Sequence, residues 1–251
     1  MLEGIETGYE DRWDFPDRAP PDRPYLLATV PRTGSTFVSH LLWRSGCLGA
    51  PLEYLNFEPS GPYGHASASP QLQRELWENA LRRRTSPNGV FGLKAFPLQL
   101  EELSQANPPL LRAVLHFLLP PGRARVVQLR RRDATAHAVS YARAMLSGIW
   151  RAEQETEGRD EPEFDAQALE RAGRLIATQE RAWADMCREM HIEPLVVWYE
   201  DAVADPAGFV ATTADYLAVE LDTDARTVVP EIRRQDQRGA REWKERAGKG
   251  G

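Results

Sequence analysis

Tyr25-Leu26-Leu27-Ala28-Thr29-Val30-Pro31-Arg32-Thr33-Gly34-Ser35-Thr36-Phe37-Val38 is a short apolar run that breaks into a turn carrying an arginine and then opens into an amphipathic stretch. The run Tyr25–Val30 reads as a buried strand. Gly34 to about Ser45 reads as the helix after it, with Phe37, Val38, Leu41 and Leu42 as its apolar stripe. A helix start leaves backbone N–H groups without partners, and the hydroxyls of Thr33, Ser35 and Thr36 and the cation of Arg32 stand beside them. That combination is an anion site, so a phosphate-like group is expected on the turn.

Strands of the same kind follow at intervals. Val90–Lys94, after the turn signal Asn88-Gly89, Ala124–Leu129 and Leu195–Tyr199 are short apolar runs. Helical spacing predicts helices over Pro70–Arg83, Pro97–Gln105, Leu110–Leu119, Asp133 to about Gly148 with Asp133 as N-cap, Asp165–Met190 and Pro206–Leu217. Strand and helix alternate, which predicts an α/β chain: a P-loop-like three-layer fold with a mainly parallel central sheet flanked by helices. The organisation expected is a polar, proline-rich arm over residues 1–23 and one domain over 24–251. Trp183 and Trp198 are assigned to the core.

The turn is half of a nucleotide triphosphatase loop, and the missing half matters. Thr29 stands where that pattern needs its first glycine, and Ser35 stands at the position of the lysine that reaches the outer phosphates. A degenerate P-loop kinase is therefore the weaker alternative, and a non-catalytic nucleotide-binding protein is a third.

Bulk properties narrow the classes. The 251 residues are 42% hydrophobic and 27% charged with a net charge of −6, and no apolar run approaches the ~20 residues of a membrane span. The opening Met1-Leu2-Glu3-Gly4-Ile5-Glu6 lacks a secretory signal's basic and apolar regions, so a cytoplasmic protein is expected. Cys47 and Cys187 read as buried free thiols on apolar helix faces. Charge is uneven: residues 122–151 hold seven basic side chains against Asp133 alone, and residues 231–251 hold seven against four acids. Two basic islands on an acidic protein point to a small anionic ligand and away from nucleic acid. The five histidines are scattered, and no metal-ligand spacing is present.

Three parts carry the chemistry: the turn at 31–36; Arg130-Arg131-Arg132-Asp133 leading to Ser140 directly after a strand, suited to a second phosphate through a guanidinium fork and a hydroxyl; and a basic tail, Arg234-Gln235-Asp236-Gln237-Arg238 with Trp243-Lys244. This layout resembles the sulfotransferases that use 3′-phosphoadenosine 5′-phosphosulfate (PAPS), and more narrowly the bacterial trehalose 2-sulfotransferase-like family. Arg32–Thr36, Gly49-Ala50-Pro51-Leu52-Glu53-Tyr54, Gly92-Leu93-Lys94, Arg131–Ser140, Trp150, and Arg234–Gln237 with Glu242-Trp243 match its motifs in order. Two positions depart: Ala50 replaces a glutamate and His137 replaces the usual glutamine. The same donor with a different acceptor is expected.

The resemblance implies PAPS as donor, 3′-phosphoadenosine 5′-phosphate (PAP) as product, no metal, a small-molecule hydroxyl acceptor (sugar, glycolipid or natural product) and, in some members, a homodimer. It places Arg32, Ser35 and Thr36, with the backbone of Thr33, Gly34, Ser35 and Thr36, on the 5′-phosphosulfate, and Arg131 and Ser140 on the 3′-phosphate. Which of Arg130–Arg132 meets the phosphate stays open. Gln235 and Arg238 would close over the nucleotide, and Trp243 would pack on its base or anchor the core. Glu53 is the general-base candidate, as a carboxylate in a partly dry pocket, with His65 as the rival base. Lys94 would support the transferring sulfonate. The loops 50–69 and 145–165 would choose the acceptor.

Overall fold

A computed structural model describes residues 8–16, 19–150, 154, 161–232 and 238–248. Its core is a parallel sheet of β1 (Arg23–Ala28), β2 (Val90–Ala95), β3 (Val126–Arg130) and β4 (Leu195–Trp198), in the order β2-β1-β3-β4. The pairs Leu26↔Leu93, Leu26↔Val126 and Leu129↔Val197 fix the register. The mostly buried β1, β2 and β3 read as continuous apolar runs rather than alternating ones, which made them visible in the sequence; β4 lies at the sheet edge with Val196 exposed and was visible from its short Leu195–Trp198 apolar run.

Adjacent β1 residues feed opposite cores. Leu26 and Ala28 join the larger one, with Phe91, Leu93, Val114 and Trp183. Tyr25 and Leu27 join the smaller one, with Val38, Leu42, Val127 and Phe209. The helices behind these faces are α1 (Ser35–Arg44), α7 (Tyr199–Ala204) and α8 (Pro206–Leu217) on the smaller side. On the larger side lie α2 (Pro70–Arg83), α3 (Pro97–Ala106), α4 (Pro108–Leu118), α5 (Ala134–Ser147), α6 (Ala166–Glu189) and α9 (Arg238–Gly248). The three-layer parallel α/β fold is as expected. Among the described residues no helix is long and apolar enough to cross a membrane.

Several local expectations change. β1 stops at Ala28, because Thr29 onward turns. Tyr199 starts α7 instead of ending a strand, and residues 238–248 of the basic tail are helical. Cys187 lies on α6, but Cys47 sits in the turn after α1, where its Sγ approaches the Asp222 carbonyl at 3.8 Å; both thiols are free and buried. Trp198 is only half-buried and carries the guanidinium groups of Arg130 and Arg132 over its ring.

The segment 8–16 packs on the core. Buried Arg84 donates to the carbonyls of Gly8 (2.9 Å) and Glu10 (3.0 Å), pairs with Asp14 at 3.2 Å, and stacks on Trp43. Phe15 enters the larger core. The order β2-β1-β3-β4 makes the chain reverse direction between β1 and β3, and the carboxyl ends of parallel strands at such a point leave a crevice for ligands.

Candidate active site

The turn after β1 occupies that crevice. Arg32 holds φ 71° and Gly34 φ 90°, both in the left-handed region. A Cβ on Gly34 would lie 2.2 Å from the Tyr199 ring, so glycine is required there both by backbone conformation and by space. α1 begins at Ser35 with no side-chain cap, leaving its first N–H groups to whatever enters the crevice. Thr33 does not join them. Its hydroxyl lies 2.5 Å from that of Thr29 and also bonds the Val30 carbonyl, and its N–H donates to Val30 as well. Thr33 therefore shapes the turn from inside, with its hydroxyl and its N–H both engaged there.

Glu53 reaches the crevice because residues 50–54 run beside β2. Leu52 bridges Leu93, and the Lys94 N–H donates to the Leu52 carbonyl at 3.1 Å. Lys94 Nζ lies 3.0 Å from Glu53 Oε1, and both side chains are buried. Glu53 Oε2 accepts from Asn56 Nδ2 (2.9 Å) and Gln99 Nε2 (3.1 Å), and the Glu53 N–H donates to the Tyr9 hydroxyl at 3.0 Å. The expected partly dry carboxylate is buried, but it is also gripped by an ammonium and two amides. His65 is exposed and borders neither cavity described below.

At the end of β3 the three arginines separate. Arg130 bonds Glu180 at 2.7 Å, and Arg132 pairs with Asp201 at the surface. Arg131 turns into the crevice: its Nη1 donates to the Arg32 carbonyl at 3.2 Å, its guanidinium lies over the Tyr199 ring, and its buried Nε has no partner among the described residues. Asp133 caps α5 by accepting from the Ala136 N–H, as expected, and Lys244 of α9 bonds its other oxygen at 2.6 Å. These two contacts hold the Asp133 carboxyl below its usual range. About two turns beyond Asp133, Ser140 Oγ accepts from Arg32 Nε at 3.1 Å, while Arg32 Nη1 donates to the Trp150 carbonyl. Trp243 is buried, edge-on to Phe164, with its indole N–H on the Pro162 carbonyl, so it is a core anchor and stacks on no base. Gln235 lies outside the described residues, as does the side chain of Arg238.

Two cavities meet at these groups. The larger, about 960 Å³, is bordered by Arg32, Arg44, Lys94, Arg131, Arg143 and Lys244. The smaller, about 330 Å³, is bordered by Glu58, Phe96, Leu98, Tyr141 and Met145. Arg32, Ser35, Thr36, Glu53 and Trp150 border both. Burial, together with the nearby Lys94 charge, lowers the imidazole of His40 on α1 to about 4. The Glu58 carboxyl, on an exposed residue, is raised by partial desolvation, and the Glu102 and Glu53 carboxylates push the same way. A cation-rich chamber thus opens onto a smaller, mildly acidic one through a neck of one arginine, two hydroxyls and a carboxylate. Among the described residues no three His, Cys, Asp or Glu side chains gather as a metal set.

Sequence reading missed Tyr9, Gln99 and Tyr199. Tyr199 had a signal, as an aromatic directly after a strand end. Tyr9 and Gln99 had none, since only tertiary packing brings them to Glu53.

A family model described as Stf0 sulphotransferase matches residues 24–249. The trehalose 2-sulfotransferase of Mycobacterium tuberculosis (strain ATCC 35801 / TMC 107 / Erdman) is 28% identical, over 89% of this chain and 94% of that protein. Its counterpart in Mycolicibacterium smegmatis (strain ATCC 700084 / mc(2)155) is 25% identical, over 88% and 93%. Among solved structures, the sulfotransferase domain of the Synechococcus PCC 7002 olefin synthase superposes loosely, with a TM-score of 0.47 and 16% identity over 82% of this chain and 78% of that one.

Proposed function

The chain belongs to the Stf0 sulphotransferase family, and from that premise we propose that it moves the sulfuryl group of PAPS to a hydroxyl of a small sugar. The observation that carries this reading is the meeting of the two cavities at Arg32, Ser35, Thr36 and Glu53. The larger suits a nucleotide with two anionic ends: the turn at 32–36 faces one, and Arg131 with Ser140 faces the other. The buried Nε of Arg131, unpartnered among the described residues, is a donor free to meet an anion. The smaller cavity lies at the lower end of the size range of ligand pockets, and its mix of an aromatic wall with Gln99, Asn56 and Glu58 suits a polyol. Sugars lead among acceptors because the two relatives named above are trehalose 2-sulfotransferases.

When bound, the donor supplies the activated sulfuryl group. Glu53 takes the proton of the acceptor hydroxyl as its oxygen bonds sulfur, and Lys94, 3.0 Å away, steadies the carboxylate and the transferring oxygens. Arg32, the Ser35 and Thr36 hydroxyls and the N–H groups of the first α1 turn receive the charge that collects on the departing phosphate as the sulfur–oxygen bond breaks. Positioning and fixed dipoles supply most of the effect, as in phosphoryl transfer. No step in this scheme calls on a metal ion.

The test is transfer of radiolabelled sulfate from PAPS to a panel of sugars that includes trehalose. Label should move to at least one sugar with the wild type and not with Arg32→Ala. Transfer that survives Arg32→Ala, or that no sugar accepts while a non-sugar hydroxyl compound does, contradicts the corresponding half of the proposal.

A further inference from the structure

We infer that His137 is a positioning residue for sulfuryl transfer, holding the anion-binding turn to the helix that carries Ser140. The inference rests on the sulfotransferase reading for its effect on turnover, and on geometry alone for the contact itself.

His137 lies on α5 and is 1% exposed, with Nε2 2.8 Å from the Pro31 carbonyl oxygen. A carbonyl can only accept, so the ring must present Nε2–H and leave Nδ1 without a proton. The ring is also uncharged. Its burial lowers the imidazole to about 4, and the neighbouring Arg131 and Arg32 charges act in the same direction. Because the peptide is planar, a bond to its oxygen restrains the tilt of the whole Pro31–Arg32 link.

The following carbonyl, that of Arg32, accepts from Arg131 Nη1 at 3.2 Å. The Arg32 side chain then bonds Ser140 Oγ through Nε and the Trp150 carbonyl through Nη1. Two successive carbonyls of the turn and its one cation are therefore all held from residues 131–150. Arg32 has φ 71°, a conformation that non-glycine residues keep only when their surroundings over-determine it. His137 is the part of that restraint with no role of its own toward a nucleotide, since it does not border either cavity. Removing its bond frees the Pro31–Arg32 peptide and lets Arg32 drift from the leaving phosphate. Arg131 and Ser140 stay where they are, so the product's 3′ end keeps its partners.

The experiment compares His137→Leu and His137→Gln in the intact enzyme, by turnover with PAPS and by calorimetry with PAP. Leucine should lower kcat by about 10–100-fold, the scale of a misplaced catalytic group. PAP affinity should fall by much less than kcat, because the 3′-phosphate keeps Arg131 and Ser140 and only the 5′-phosphate contact is loosened. Glutamine, whose amide N–H can reach the same carbonyl, should recover most of kcat. Unchanged kcat in the leucine variant, equal loss of kcat and PAP affinity, or a folded glutamine variant as slow as leucine each overturn the inference. Nitrogen-15 NMR of the wild-type histidine rings covers the case in which leucine prevents folding. A neutral Nε2–H tautomer for His137 at neutral pH supports the contact, and an Nδ1–H tautomer overturns it. A wild type that neither binds PAP nor turns over contradicts the proposed function instead, and the NMR result still decides the contact.

Discussion

Replacing Glu53 with glutamine removes one charge from a buried pair and leaves the other. Lys94 is 2% exposed and Glu53 8%, with 3.0 Å between Nζ and Oε1. Coulomb's law at an effective dielectric of about 20 gives about 5 kcal/mol of attraction across that gap. Removing one partner of such a pair costs about 3–5 kcal/mol, because the other charge stays buried after losing its counter-charge. A domain of this kind has about 5–15 kcal/mol in total, so Glu53→Gln should be visibly destabilised in urea, by about 3 kcal/mol or more. The double variant Glu53→Gln/Lys94→Met removes both charges and should recover most of that loss. Turnover behaves differently. Both variants should be at least about 100-fold slower, since general acid–base assistance is worth about 10²–10⁴. The paired urea titrations and kcat values thus separate a structural from a chemical role. A single variant within about 1 kcal/mol of wild type would mean that the pair is not the buried ion pair described. A double variant that regains wild-type turnover would remove Glu53 and Lys94 from the chemistry.

Three further expectations follow from the same geometry. Arg131→Ala should weaken PAP much more than adenosine 5′-phosphosulfate in calorimetry, because only the first carries a 3′-phosphate; equal loss for both would misplace the second anion site. Gly34→Ala combines φ 90° with a Cβ 2.2 Å from the Tyr199 ring, so it should cost about 1–3 kcal/mol in thermal or urea unfolding, and Tyr199→Ala should relieve only part, since the backbone strain remains. His40 and His137 are both lowered to about 4 from the ordinary 6.5. The unfolded chain then binds more protons between those values, so stability is full above pH 6.5 and falls as pH drops towards 4. Each histidine contributes about 3 kcal/mol over that window; a stability curve flat from pH 7 to 4 would contradict both burials.

The strands and most helices were legible because their signals are local: apolar runs such as Leu26-Leu27-Ala28, the Asp133 cap and the proline starts of α2 and α8. The turn at 31–36 was legible for the same reason, since strand, turn and helix start are contiguous. The ion pair of Glu53 and Lys94 was not. Each residue was singled out through its motif, but their contact depends on Leu52 lying beside Leu93, a pairing that no spacing encodes. That the Thr33 hydroxyl faces Thr29 and the Val30 carbonyl was not legible either, because sequence does not say which way a turn hydroxyl points. The separation of Arg130, Arg131 and Arg132 likewise needed Glu180 and Asp201, far along the chain, to claim the outer two.

Calorimetric titration of the intact protein with PAP, set against ATP with magnesium, most directly probes the larger cavity. A sulfotransferase of this build should bind the bisphosphate tightly and ATP far more weakly, with Arg131→Ala erasing the difference. Preference for ATP, or binding of neither nucleotide, would contradict PAPS as the donor and leave the turn at Arg32 without the ligand assigned to it.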